Sequence, residues 1–84
     1  MTFVEKLASF YIDFMNSFNE GEVSLKRYNL ITEIIDDIME NHNIQEDEFM
    51  NTVSKIKNPK FEDYEDLYNR YVKQLVEVQR VIDS

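Results

Sequence analysis

The sequence predicts an all-α fold, a small bundle of four helices of which the third is short. Three observations carry this expectation. Apolar residues recur at spacings of three and four along nearly the whole chain, the period of helices that bury one face. No stretch keeps the strict alternation of a half-buried strand. Residues suited to ending helices punctuate the pattern at Asn19–Glu20–Gly21, Asn41–His42–Asn43 and Asn58–Pro59–Lys60. With 84 residues and 43% hydrophobic content, the chain predicts a single acidic helical domain over 1–84 with a modest core. A three-helix arrangement with an irregular third segment is the alternative.

Helix 1 is expected over Phe3–Phe18. Thr2 and Glu5 have the spacing of a capping box, in which each side chain satisfies an amide of the other. Val4, Leu7, Phe10, Tyr11, Phe14, Met15 and Phe18 form one broad aromatic face, and Gly21 supplies the left-handed residue after the helix end. Helix 2 is expected over Leu25–Asn41 with Ser24 as N-cap. Its stripe is Tyr28, Ile31, Ile34, Ile35, Ile38 and Met39. Lys26 and Arg27 stand at the wrong end for the helix dipole, which suggests pairing with Glu20 or Glu22.

Helix 3 is expected over Ile44–Lys57. Asn43 and Glu46 repeat the capping-box spacing, and Phe49, Met50, Val53 and Ile56 form its apolar face. Asn58 precedes Pro59 and so disfavours helix. Helix 4 is expected over Phe61–Ile82, with a continuous stripe of Phe61, Tyr64, Leu67, Tyr68, Tyr71, Leu75, Val78 and Ile82.

Charge and composition exclude several functions. The chain has 17 acids, 9 bases and a net charge of −8, a sign that repels phosphate and argues against direct nucleic-acid binding. Helices 2 and 3 resemble a helix-turn-helix in outline only, because the expected groove-entering end carries Glu46, Asp47 and Glu48. A single glycine cannot build a phosphate-cradling loop. Without Cys there is no disulfide framework, thiolate metal site or Cys nucleophile. His42 alone cannot supply a di-iron bundle, and the run from Asn41 to Thr52 lacks the glycine and spacing of an EF-hand. No catalytic residue, metal site or cofactor is expected. No secretory signal or bilayer-spanning run is legible, so the expected compartment is the cytoplasm.

The charges that remain are unevenly placed. Between Tyr28 and Ser54 the chain carries seven acids and no Lys or Arg. Glu33, Asp36, Asp37 and Glu40 fall within about 100° of arc opposite the isoleucines, and Glu46, Asp47 and Glu48 follow beside them. Such a row lacks the i,i+4 partners that support an ordinary solvated face. A second acidic patch, Glu62, Asp63, Glu65 and Asp66, favours the dipole at the start of helix 4, where Asp66 has Arg70 at i+4.

The expected function is that of a non-enzymatic regulator, an acidic inhibitor or modulator that imitates nucleic acid in its charge. It would dock on a basic surface of a larger protein, such as a nucleic-acid-processing enzyme or transcription protein. The alternative is an adaptor module or homodimer assembled through the aromatic faces of helices 1 and 4.

Overall fold

The computed structural model describes residues 1–73 and 77. It is an all-helical bundle: α1 (Phe3–Asn19), α2 (Leu25–Asn41), α3 (Glu46–Lys55) and α4 (Phe61–Leu67), the last running into a π-helical turn (Tyr68–Val72). No strand occurs among the described residues. The third helix is short, at 10 residues against 17 for each of the first two.

The first helix starts as its sequence requires. The Thr2 amide donates to Glu5 Oε1 at 2.9 Å and the Glu5 amide to Thr2 Oγ1 at 3.2 Å, completing the capping box. Its end is a Schellman turn. Gly21 takes φ +79°, its amide donates to the Phe18 carbonyl, and the Glu22 amide reaches back to the Ser17 carbonyl at 2.9 Å. The second helix begins on Ser24, whose Oγ accepts from the Arg27 amide at 3.2 Å. Glu20 and Glu22 are exposed and form no ion pair with Arg27, so the pairing expected for Arg27 is not made.

α1 is the central element, packed chiefly on α3 and α4 and more lightly on α2. Leu7, Ala8, Ser9 and Phe10 are all buried, and four consecutive helical residues span about 300° of arc. The core adds Phe14, the isoleucines 31, 34, 35 and 38, Phe49, Tyr64, Leu67 and Val72. The aromatic rows of α1 and α4 face each other, with ring centroids of Phe10 and Tyr64 5.5 Å apart. Phe61 is the exception in its row, 47% exposed and set edge-on to Tyr64 and Tyr68.

Two expectations fail, each for a local reason. α3 begins at Glu46 and not Ile44, and Asn43 does not cap it; its N-cap is Gln45, with no side-chain bond. Asn43 is occupied elsewhere. It takes φ +54°, its amide donates to the Glu40 carbonyl at 3.2 Å, and the Ile44 amide donates to the Met39 carbonyl at 2.9 Å. This is a second Schellman turn, closing α2. At its far end α3 stops at Lys55. The Thr52 and Ser54 hydroxyls donate to the Glu48 and Asn51 carbonyls, a competition that weakens helices.

The fourth helix is not uninterrupted α-helix. Over Tyr68–Val72 the bonding shifts to the i→i+5 π pattern, with the Lys73 amide donating to the Tyr68 carbonyl. Val72, in this turn and four positions after Tyr68, is fully buried. Leu75, Val78 and Ile82, the rest of the expected stripe, lie outside the described residues.

The left-handed Asn43 yields the first prediction. Asn43→Gly is expected to leave stability nearly unchanged. Asn43→Val is expected to lower it by ~1–2 kcal/mol, because a branched Cβ is penalised at positive φ. Urea unfolding measures both; equal stabilities would mean that the turn abandons this conformation in solution.

Candidate acidic interface

The buried isoleucines of α2 fix the outward direction of its other face. Glu33, Asp36, Asp37 and Glu40 are all exposed there. They contact one another's positions in both helical registers: Glu33 to Asp37 and Asp36 to Glu40 at i+4, Glu33 to Asp36 and Asp37 to Glu40 at i+3. Among the described residues, no Lys, Arg or His lies within ion-pair distance of any of the four. The first turn of α2 has no acid and its last turn no base. Its bases stand at the N-terminus and its acids toward the C-terminus, against the dipole.

The three acids of α3 differ in this respect. Glu46, Asp47 and Glu48 occupy its first turn, where negative charge is favoured. All three are exposed. The fold brings Glu46 alone of them to the α2 acids. A groove of about 570 Å³ runs between α2 and α3, lined by Asp36 and Glu40 on one wall and Glu46 on the other. Its apolar surface comes from Tyr11, Ile35, Met39, Ile44, Phe49 and Met50. Glu33 and Asp37, on the outer flank of α2 by helical geometry, do not line it, and neither do Asp47 and Glu48.

The groove is a product of the Schellman turn. Met39 and Ile44 are joined across that turn by the Ile44 amide donating to the Met39 carbonyl, and both line the groove. Tyr11 supports the opposite side, its ring 5.4 Å from that of Phe49 and nearly perpendicular to it. Helical periodicity assigns Met50 to the core, yet it is 47% exposed. Phe49 is the residue of α3 that turns fully inward, and the next position lies about 100° further round.

The second patch is compensated. Asp66 pairs with Lys6 of α1 at 2.6 Å and not with Arg70; the Arg70 guanidinium lies 5.3 Å from the Tyr71 ring centre instead. Glu62, Asp63 and Glu65 gather with Asp66 around a shallow depression that also contains Lys6. The Lys6 ammonium holds the Asp66 carboxyl below the ordinary carboxylate range, and the Thr2 hydrogen bonds do the same for Glu5. For both groups the folded value lies below the unfolded one. Their stabilisation is therefore present above the unfolded value and is lost as pH falls through the folded one.

The backbone amide of His42 donates to the Ile38 carbonyl at 3.1 Å, while its imidazole turns to α1 and the π turn. Its ring stacks on Phe3 with centroids 4.3 Å apart, and Nε2 lies 3.5 Å from the Tyr71 hydroxyl. The Tyr64 phenol is pushed well above its ordinary range, first by burial and then by the Asp13 carboxylate. Each of these three shifts, in Glu5, Asp66 and Tyr64, moves a group further from neutrality. Among the described residues, no three acid or imidazole groups converge as metal ligands do, and no helix is long and apolar enough to cross a membrane.

Two measurements follow from this geometry. In Lys6→Met, the Asp66 carboxyl should titrate back in the ordinary range, as read by carboxyl-carbon NMR; an unmoved titration would mean that the ion pair does not persist in solution. Asp36→Asn with Glu40→Gln should raise stability by about 0.5–1 kcal/mol at low salt, through relief of like-charge and dipole repulsion. That gain should shrink as salt is added, and a loss of stability would show that the fold holds these carboxylates after all.

No protein-family model, curated protein or solved structure matches this chain, so its function rests on the residues described above.

Proposed function

We propose that the chain is a non-enzymatic protein-binding regulator. It docks the acidic face of α2 and the start of α3 on a basic surface of a larger cytoplasmic protein and thereby inhibits or modulates it. The observation that carries this reading is the α2 row itself. Four exposed carboxylates repel one another, oppose the helix dipole and, among the described residues, have no cation within ion-pair distance. Each like-charge i,i+4 pair costs a few tenths of a kcal/mol. A basic partner reverses the sign of that term on binding, and complementary charge also speeds encounter and rejects wrong partners.

Surfaces that bind nucleic acid carry clustered Lys and Arg, and a nucleic-acid-processing enzyme or transcription protein is the class of partner that fits. The secondary patch on α4 supports this reading less, because Lys6 already neutralises part of it. Assembly through the aromatic faces of α1 and α4 is the second reading. One observation favours it, the exposed ring of Phe61, while most of the remaining aromatic surface of those helices is turned inward.

The test compares the wild type with the fourfold variant Glu33→Lys, Asp36→Lys, Asp37→Lys, Glu40→Lys in pull-downs from lysate at low and high salt. The expected result is a partner held by the wild type and released by salt, since exposed charges are screened over ~8–10 Å. The variant, folded by circular dichroism, should not hold it. A partner retained equally by both proteins would sink the proposal, and salt-resistant capture abolished by Phe61→Ser would move the interface to the aromatic side.

A further inference from the structure

The acidic face and the groove beside it are not independent features, and their combination narrows the chemistry of the partner. The groove has an apolar floor with two flexible thioethers, Met39 and Met50, which adapt to irregular apolar side chains. Met50 is half exposed in the free protein. Carboxylates stand on both walls: Asp36 and Glu40, one helical turn apart and ~6 Å along the axis, on α2, and Glu46 on α3. A purely apolar segment would leave those charges facing it without counter-ions. A purely basic one would leave the apolar floor uncovered.

We infer that the α2–α3 groove receives an amphipathic helix of the partner, with an apolar stripe seated on Met39, Ile44 and Met50 and with Lys or Arg on both flanks of the stripe. The inference rests on the acidic-face reading and deepens it by naming the docking element. Charge complementarity selects the occupant, because both walls carry the same sign and an amphipathic basic helix carries cations on both sides of its apolar face. Its apolar side chains cover the surface that the free protein leaves open, and Asp36, Glu40 and Glu46 fix its register. Glu33 and Asp37, on the outer flank, contribute attraction at longer range without contact.

The experiment titrates the isotope-labelled 84-residue chain with three synthetic peptides of about 18 residues, five helical turns. One carries Leu and Lys at helical spacing, one Leu and Glu in the same pattern, and one Lys with no apolar residue. The Leu–Lys peptide is expected to bind and to shift amide resonances across residues 36–50. Met50→Gln should weaken it about fivefold. The rim variant Asp36→Asn, Glu40→Gln, Glu46→Gln should weaken it about tenfold or more, against less than about threefold for Glu33→Gln, Asp37→Asn, which removes charge outside the groove.

Met50 and the rim carboxylates are exposed, so these variants are expected to fold, and their amide spectra report whether they do. If the Lys-only peptide binds equally well and Met50→Gln changes nothing, the groove inference is overturned while the acidic-face reading stands. Equal, salt-insensitive binding of the Leu–Glu peptide would overturn both. Absence of Leu–Lys binding, or shifts confined to another face, would overturn the groove inference.

Discussion

The burial of α1 on almost every side is the constraint from which the rest of the structure follows. A short chain has little surface to bury, so its core forms around one helix covered on most sides. Here Leu7, Ala8, Ser9 and Phe10 are all inside, so α3 and α4 must cover flanks of α1 that an ordinary amphipathic surface helix would leave to water. Ser9 shows how strong the constraint is: its hydroxyl is buried without a hydrogen-bond partner, a state that costs about 1–3 kcal/mol. Once α1 is central, α2 is a cover with a single apolar stripe. Each of its buried isoleucines contributes on the order of 1.5–3 kcal/mol, enough to hold the helix in place whatever its outer face carries.

That surplus separates fold from function on α2. Burial at Ile31, Ile34, Ile35 and Ile38 fixes which residues face outward, but it does not dictate their charge. An outer face that alternated Glu and Lys would gain i,i+4 support; this one forgoes it. The acids of α3 carry no comparable message, since a first helical turn favours them on dipole grounds alone. Of the seven carboxylates between Tyr28 and Ser54, those on α2 are therefore the informative ones.

Much of this was legible in the sequence, and the illegible parts share a cause. The capping box at Thr2 and Glu5, the Ser24 cap, the Gly21 turn and the isoleucine stripe are local features, and local chemistry suffices to read them. Asp66 finds its cation 60 residues away on α1, beyond any i,i+4 rule. Val72 falls in a π-helical turn, a change of pitch that a fixed 3.6-residue period does not anticipate. Asn43 was ambiguous for a different reason. Asn suits both an N-cap and the left-handed residue after a helix, and the decision between them depends on whether an apolar pair spans the turn. Met39 and Ile44 are that pair, five positions apart, and reading them together would have moved the start of α3 to its observed place.

The same pair ties the local to the functional. Had Asn43 capped α3, Ile44 would have entered the helix as its first residue, and the hydrogen bond from its amide to the Met39 carbonyl would be lost. The groove between α2 and α3 would then lack its apolar end. As folded, the amides of Asn43 and Ile44 satisfy the last carbonyls of α2, and α3 starts without a side-chain cap. The first-turn acids of α3 offset that deficit electrostatically, and one of them, Glu46, completes the far wall of the groove. A single choice at one turn therefore ends α2, delays α3 and places a carboxylate across an apolar floor from Asp36 and Glu40.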